Sequence, residues 1–257
     1  MDLRVSIAGF LVGVVAGISG IGGSALLAPL LILVLGVKPT IAVGTDLVYS
    51  VPMKLLAAFA HMRQGTIDRD VIRRLSIGGV PGTVVGLAAF WLLRRYAGSA
   101  QLDQLERHAI GIVILGAAAS ALVLFLARGR LAARLAQHPP RTRAGSTIAI
   151  GAVVGFLVAL TSIGSGSITL PLLMLTLPLI GLRSLIGSEI VFGAIIIPIA
   201  ALGHSTFSNV DWQLALDLAL GAVPGAYLGV RLCGLLGDSL LRPAVMCVLA
   251  YAGFKLL

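Results

Sequence analysis

The chain has 257 residues, of which 58% are hydrophobic and 11% are charged, and its formal net charge is +9. A soluble domain carries about 25% charged residues, so this composition excludes a protein that faces water on all sides. Most Lys and Arg residues lie between apolar runs, where topology-setting charges lie, and this distribution argues against nucleic acid as a partner.

The chain contains apolar segments of two lengths, and a helix needs about 20 apolar residues to cross a membrane. The first half contains two short pieces, 5–18 and 24–36, and three predicted crossings, 40–61, 71–93 and 108–127. The second half contains two short pieces, 147–160 and 166–180, and three predicted crossings, 183–204, 212–236 and 240–257. Because residues 1–20 have a counterpart in the second half, we expect them to belong to the mature fold rather than to a signal peptide.

The two halves are related by an internal repeat. The matched residues include Gly13 with Gly155, Gly22 with Gly164, Pro29 with Pro171, Gly44 with Gly187, His61 with His204, Asp68 with Asp211, and Pro81 with Pro224. An odd number of segments in each half turns the second half over relative to the first. We therefore predict an all-α polytopic membrane protein with two inverted repeats of five hydrophobic segments, in which broken or re-entrant helices form matching pairs.

The predicted domains are a first repeat at 1–127, a basic linker at 128–146 and a second repeat at 147–257. If the linker is cytoplasmic, most of the basic residues outside the membrane lie on the cytoplasmic side, in the linker with its five arginines and in the loops next to it. This distribution is the one that the positive-inside rule requires. The sequence thus predicts a multi-pass protein of the cell (inner) membrane, with both termini outside.

Each short pair is interrupted by a break rich in glycine and hydroxyl side chains. The candidate substrate-binding residues of the first break are Gly20, Gly22, Gly23 and Ser24, and those of the second are Ser162, Gly164, Ser165, Gly166, Ser167 and Thr169. Matching broken helices are the best sequence pointer to a transporter site. Helix N-termini there would present free N–H groups to an anion. The alternative is a pair of tight loops whose glycines serve helix packing.

Lys54 is the only basic residue in the interior of a predicted crossing, and it is matched by Ile197. A buried ammonium group is a functional hypothesis by default, here the countercharge of an anionic substrate. The alternative is a lysine that snorkels to the membrane surface or pairs with Asp46.

Four further residues are candidates for ion coupling: Asp46, Glu189, His61 and His204. The two carboxylates follow glycine near the start of their helices, where they could cap the helix or carry a proton. The two histidines end matched helices, where the helix dipole stabilises them or a proton relay could use them.

Neither metal ligation nor catalysis has a sequence signature here. No H-E-x-x-H, C-x-x-C or clustered His motif occurs, and no Ser-His or Cys-His pair is evident. We therefore expect no metal, no cofactor and no enzymatic activity. The duplicated P-G-x-x-x-G at Pro81 and Pro224 places two glycines four residues apart, which predicts close helix packing.

The breaks G-I-G-G-S-x-x-x-x-P at Gly20 and S-I-G-S-G-S-I-T-L-P at Ser162 resemble those of the TauE/SafE family. The G-T-D and G-S-E helix starts and the duplicated P-G-x-x-x-G add to the resemblance. It implies a secondary carrier for sulfite or an organosulfonate such as sulfoacetate, driven by an ion gradient, with the breaks along the substrate path. The expected partners are a small anion, the lipid bilayer and a second copy in a homodimer.

Four other functions stay open at this point. A channel would share the pore-lining glycines, and a permease could take a different small anion or a metal ion. An intramembrane enzyme and a membrane-assembly factor are the remaining alternatives.

Overall fold

The computed structural model describes residues 3–19, 23–127, 140–177, 179–233 and 238–257. These ranges contain ten helices and no strand. The helices of the first half are α1 Leu3–Ser19, α2 Ser24–Leu33, α3 Pro39–Arg63, α4 Arg69–Tyr96 and α5 Ser99–Ala127. Those of the second half are α6 Pro140–Thr161, α7 Thr169–Thr176, α8 Leu182–Thr206, α9 Trp212–Cys233 and α10 Asp238–Leu256. The predicted all-α fold is confirmed.

Two helices begin earlier than the sequence predicts. Helix α5 begins at Ser99 rather than at 108, because its polar first turns still bury Leu102 and Glu106 on one face. Helix α6 begins at Pro140, inside the predicted linker, and proline is favoured in the first turn of a helix. Residues 128–139 of the predicted linker lie outside the described residues.

The helices are suited to a bilayer in length and in surface. Five of those described are long and apolar enough to cross a membrane: Pro39–Arg63, Arg69–Tyr96, Ser99–Val123, Ala144–Thr161 and Leu182–Thr206. Large apolar side chains point outward, among them Leu56, Phe59, Leu202, Leu216 and Phe254. Only lipid makes such a surface stable, which confirms a multi-pass membrane protein.

Polar contacts group the helix ends into two sets. Ser6 of α1 donates its hydroxyl to the carbonyl oxygen of Asp217 in α9, and the amide of Asp211 donates to Thr45 Oγ1 in α3. Helices α1, α3 and α9 therefore begin together, at what we name the first end. The amide of Asp68 donates to Ser188 Oγ, and Arg183 donates to Gln64. These contacts belong to the opposite, second end, where α4 and α8 begin.

The second helix of each broken pair reaches only part of the way across, whereas α6, predicted as a short piece at 147–160, is long enough to cross. Helix α2 has 10 residues and α7 has 8, which at 1.5 Å per residue are about 15 and 12 Å long, against a hydrocarbon core of about 30 Å. Helix α2 leads back to α3 at the first end, and α7 leads back to α8 at the second end. The short pairs therefore enter and leave at the same end.

Glycines set the closest helix contacts, between α1 and α9 and between α4 and α6. A Cβ added at Gly82 of α4 would collide with the carbonyl oxygen of Ala152, and one at Gly225 of α9 would collide with that of Phe10. Both positions belong to the P-G-x-x-x-G motif. The predicted role of this motif in close packing is confirmed.

Candidate functional site

The second break is a buried irregular segment between α6 and α7. Residues 162–168 are not helical, and Ile163 near the start of this segment is 0% exposed. Gly164 and Gly166 adopt φ of 133° and 118°, which glycine tolerates and other residues rarely do. Ser162 adopts φ of 60°, an uncommon value for a residue with a Cβ, and such backbone is concentrated at functional sites.

Neighbouring hydroxyls hold this segment in place. Thr161 Oγ1 accepts from the amide of Ile163 at 3.3 Å, and Thr169 Oγ1 donates to the carbonyl oxygen of Gly164 at 2.9 Å. Two other hydroxyls, those of Ser162 and Ser167, are buried and have no hydrogen-bond partner among the described residues. The hydroxyl of Ser167 is therefore free to bind something else, whereas that of Ser162 lies beside the carboxyl group of Asp46.

The helices that follow the two breaks start without side-chain caps. Gly23 precedes α2 and Ile168 precedes α7, and no described side chain accepts a hydrogen bond from the first turn of either helix. In α7 the amides of Thr169 and Leu170 donate to the carbonyl oxygens of Gly164 and Gly166, at 3.1 and 3.4 Å. Pro171 has no N–H group, so the first turn of α7 has its donors satisfied by the break itself. Of the first break, Gly23 and Ser24 are described, whereas Gly20 and Gly22 lie outside the described residues.

Lys54 reaches from α3 of the first half to the second half. Its Nζ lies 3.0 Å from Oε1 of Glu189 in α8, and it also lies 3.5 Å from the carbonyl oxygen of Ser165 in the second break. The side chains of Lys54 and Glu189 are 15% and 5% exposed. The lysine thus pairs with the carboxylate of the other half rather than with Asp46, and it stands next to the second break.

Asp46 forms a second polar cluster, with side chains of both breaks. It is 0% exposed, and the hydroxyls of Ser24 and Ser162 lie close to its carboxyl group. Neither carboxyl oxygen makes a hydrogen bond of normal geometry to any residue that the structure describes. Ser24 Oγ lies 3.3 Å from Ser50 Oγ, so α3 contributes a further hydroxyl. We name Asp46, Ser24, Ser50 and Ser162 the Asp46 cluster.

The two histidines occupy different surroundings. His204 is fully buried, with Nε2 2.8 Å from the carbonyl oxygen of Ala159 and its ring centroid 4.6 Å from that of Phe90. His61 lies near the second end, with Nδ1 2.8 Å from Thr66 Oγ1. Its charge interacts with those of Arg183 and Glu189. Neither histidine is part of the Asp46 cluster.

Sequence reasoning missed Ser50 and Tyr49 as neighbours of the candidate site. Ser50 follows Asp46 by four residues, a spacing that places both side chains on one face of a helix. Tyr49 is 6% exposed and interacts electrostatically with Asp46. Helical spacing from Asp46 would have found Ser50, whereas the approach of Ser162 needed the tertiary structure.

The site has one group of residues suited to a negatively charged ligand and, a few residues away, another suited to a positively charged one. Lys54 and the free hydroxyl of Ser167 offer donors to an anion. Asp46 and the hydroxyls around it offer oxygen atoms to a cation or a proton. Segment 162–168 contacts both groups, because Ser162 lies by Asp46 and Ser165 lies by Lys54.

Comparison with known proteins agrees with a transport protein. The family model "Sulfite exporter TauE/SafE" matches residues 5–256. The probable membrane transporter protein YjnA of Bacillus subtilis is 35% identical over 258 residues, with 100% of both chains covered. YdhB of the same organism, also named a probable membrane transporter protein, is 27% identical, with 96% of this chain and 97% of YdhB covered.

A probable membrane transporter protein of Xylella fastidiosa strain 9a5c is 27% identical, with 87% of this chain and 82% of that protein covered. No solved structure matches this chain. The family match spans nearly the whole chain, and the relatives that we compare cover it at similar length. The chain therefore belongs to the TauE/SafE sulfite exporter family and is a membrane transporter.

Proposed function

We propose that this protein is a secondary carrier that moves a small sulfur-containing anion, sulfite or an organosulfonate such as sulfoacetate, across the cytoplasmic membrane. The observation that carries the proposal is Lys54, whose ammonium group lies beside the second break and pairs with Glu189 across the two halves. The family description, a sulfite exporter, supports the sulfur-containing substrate.

The anion would bind where Lys54 meets the second break. A sulfonate or sulfite group presents several oxygen acceptors, and the site offers the ammonium of Lys54 and the hydroxyls of Ser165 and Ser167. The hydroxyl of Thr169 already donates to the carbonyl oxygen of Gly164, so it holds the break in shape instead. Hydrogen bonds from an ammonium group to an oxyanion are charge-assisted and strong. The anion would compete with Glu189 for Lys54, so binding would loosen the link between α3 and α8.

Alternating access is the proposed mechanism, with the two halves inverted relative to each other. The reciprocal contacts support this relation, because α1 packs on α9 just as α6 packs on α4. The breaks would then face each other near the membrane midplane, where carriers of this kind bind substrate.

Burial favours a carrier over an open channel. The second break is enclosed: Ser162 is 2% exposed, Ser167 is 6% and Thr169 is 0%. A substrate reaches such a site only when the helices around it move, and this motion is the step that defines a carrier. We also propose that the first end faces the outside, because the basic loops and the linker would then face the cytoplasm.

Thermal unfolding of the purified protein with a panel of anions tests the proposal. The panel contains the anions sulfite, sulfate, thiosulfate, sulfoacetate and acetate, together with taurine, a sulfonate that is a zwitterion. A ligand that binds only the folded protein adds about 2.7 kcal/mol to the free energy of unfolding at 100 times its Kd. We expect a rise in the unfolding midpoint for sulfur oxyanions and none for acetate. If no compound of the panel raises the unfolding midpoint of folded protein, the proposal is wrong.

Three variants make the test specific to the site. Ser167→Ala removes a hydroxyl with no described partner, so we expect weaker anion binding with almost unchanged stability in the absence of anion. Lys54→Ala should abolish the rise. Lys38→Ala is the matched control, because it removes an exposed lysine at the start of α3, away from the breaks, and should keep the rise.

A further inference from the structure

The carboxyl group of Asp46 lacks the partners that a buried charge needs. It is 0% exposed, and neither of its oxygens makes a hydrogen bond of normal geometry to a described residue, although the hydroxyls of Ser162 and Ser24 lie close. An isolated carboxylate in such surroundings is strongly unfavourable, so a buried carboxyl group either holds a proton or coordinates a cation. The matched residue of the other half, Glu189, is neutralised by its ion pair with Lys54.

No ionisable group described on the helices packed against α3 is positioned to neutralise the carboxyl group of Asp46. Glu189 pairs with Lys54, His204 contacts Ala159, Asp103 accepts from Thr40, and Asp211 accepts from the amide of Leu214. Arg107, His108 and Arg183 contact Lys255, Gln104 and Gln64, and the remaining acidic groups on these helices are Glu106 and Asp217. The groups close to Asp46 are instead the hydroxyls of Ser24 and Ser162.

A second observation at the same place points to a ligand. Ser162 Oγ is buried and lies close to the Asp46 carboxyl, and it makes no hydrogen bond of normal geometry in the described part of the chain. A buried carboxyl group and a buried hydroxyl group therefore lie together without a well-formed hydrogen bond between them. Carboxylate and hydroxyl oxygens are hard ligands of the kind that small hard cations prefer. Unwound segments in transporters are where Na⁺ or H⁺ is held.

We propose that the Asp46 cluster binds the coupling cation, a single positive charge supplied by H⁺ or Na⁺, together with the substrate anion. This inference rests on the proposed function, whose anion site lies a few residues away along the second break. Ser162 would contact the cation, and Ser165 lies at Lys54, where the anion binds. A cation at Asp46 offsets the negative charge that the substrate brings and orders the segment 162–168, so each ligand favours the other.

The cation alone provides the first test. The unfolding midpoint of the purified protein is measured with increasing NaCl at constant ionic strength, with choline chloride as the replacement salt. It is measured again in sodium-free buffer between pH 8 and pH 6. A rise with Na⁺ identifies sodium as the ligand, and a rise confined to lower pH identifies the proton. Either rise should vanish in Asp46→Asn.

A matched control separates Asp46 from any other buried carboxyl group. Glu106 in α5 is 4% exposed, and both of its oxygens lack a described partner, yet it lies outside the breaks. Glu106→Gln should keep the cation dependence of the wild type. If Asp46→Asn fails to fold, Ser162→Ala replaces it, and the apparent affinity for Na⁺ or H⁺ should fall several-fold. Wild-type protein that responds to neither ion, or Asp46→Asn protein that responds as the wild type does, overturns the inference.

Anion binding in the same proteins tests the coupling. With sulfoacetate, whose charge is constant over this pH range, removal of the cation should weaken binding to the wild type about five- to 150-fold, the usual span of coupling between sites. Binding to Asp46→Asn should be independent of the cation. If the wild type binds none of the sulfur anions, the proposed function fails, while the cation titration still decides the inference about Asp46.

Discussion

The ammonium nitrogen of Lys54 lies 3.0 Å from Oε1 of Glu189, and this ion pair joins α3 of the first half to α8 of the second. The lysine has no counterpart in the repeat, because Ile197 stands at the matched position. The positive charge of Lys54 therefore makes the two similar halves differ at the proposed anion site.

Removal of Lys54 should lower both the free energy of unfolding and the affinity for the anion, and a second substitution should restore only the first. Lys54→Met leaves Glu189 buried without a partner, which costs about 3–5 kcal/mol of the free energy of unfolding. Addition of Glu189→Gln removes the orphaned charge, so the double variant should regain most of that loss. It should still bind no sulfur anion. Unfolding midpoints with and without sulfite check both points, and full anion binding by the double variant would refute the role of Lys54.

Close contact of α4 with α6 should make Gly82 intolerant of a side chain. Gly82→Ala places a Cβ against the backbone of Ala152, and overpacking of this kind costs about 1–3 kcal/mol. Gly116→Ala is the control, because no atom lies within 4 Å of a Cβ added there. The control should be neutral or gain up to about 1 kcal/mol from helix propensity. Equal unfolding midpoints for the two variants would contradict the packing described.

Two matched hydrogen bonds, one at each end of the molecule, should contribute equally to the free energy of unfolding. The amide of Asp68 donates to Ser188 Oγ at 2.8 Å, and the amide of Asp211 donates to Thr45 Oγ1 at 3.0 Å. Ser188→Ala and Thr45→Val each leave an amide unpaired and should cost about 1–3 kcal/mol. Because the two sites are far apart, the double variant should lose the sum of the single losses. A strong departure from additivity, measured by unfolding, would count against two independent sites.

The orientation of the chain can be tested with single cysteines in a background that lacks Cys233 and Cys247. Gln64→Cys lies at the second end and Tyr96→Cys at the first, and both positions are exposed. A membrane-impermeant thiol reagent should label position 96 in right-side-out vesicles and position 64 in inside-out vesicles. The reverse pattern would invert the proposed orientation, and labelling of both positions from one side would contradict the two-ended arrangement.

Much of the fold could be predicted because the chain repeats itself. Runs of apolar residues located the helices, and α3 at Pro39–Arg63 agrees with the predicted 40–61. The polar first turns of α5 hid its start, since a helix that buries one face in protein needs no continuous apolar run. The start of α6 at Pro140 was hidden, because proline breaks the interior of a helix but is favourable in its first turn.

The site could be predicted only in part. The repeat singled out Asp46, Glu189 and both breaks, and Lys54 stood out as a charge inside a crossing. The partner of Lys54 could not be found from helical spacing, because Glu189 approaches from the other half. The same holds for Ser162 and Asp46, whose contact depends on how α6 packs against its neighbours.

The central claim is that this protein carries a small sulfur-containing anion by alternating access, and counterflow in proteoliposomes tests it most directly. Vesicles loaded with unlabelled sulfite are diluted into a trace of labelled sulfite, and sulfoacetate is tested in the same way. The account predicts that label accumulates transiently above its equilibrium level, and that Lys54→Ala abolishes this overshoot while Lys38→Ala preserves it. Label that only equilibrates, without an overshoot or saturation, would contradict a carrier and indicate a channel, and no uptake of either anion would contradict the substrate class.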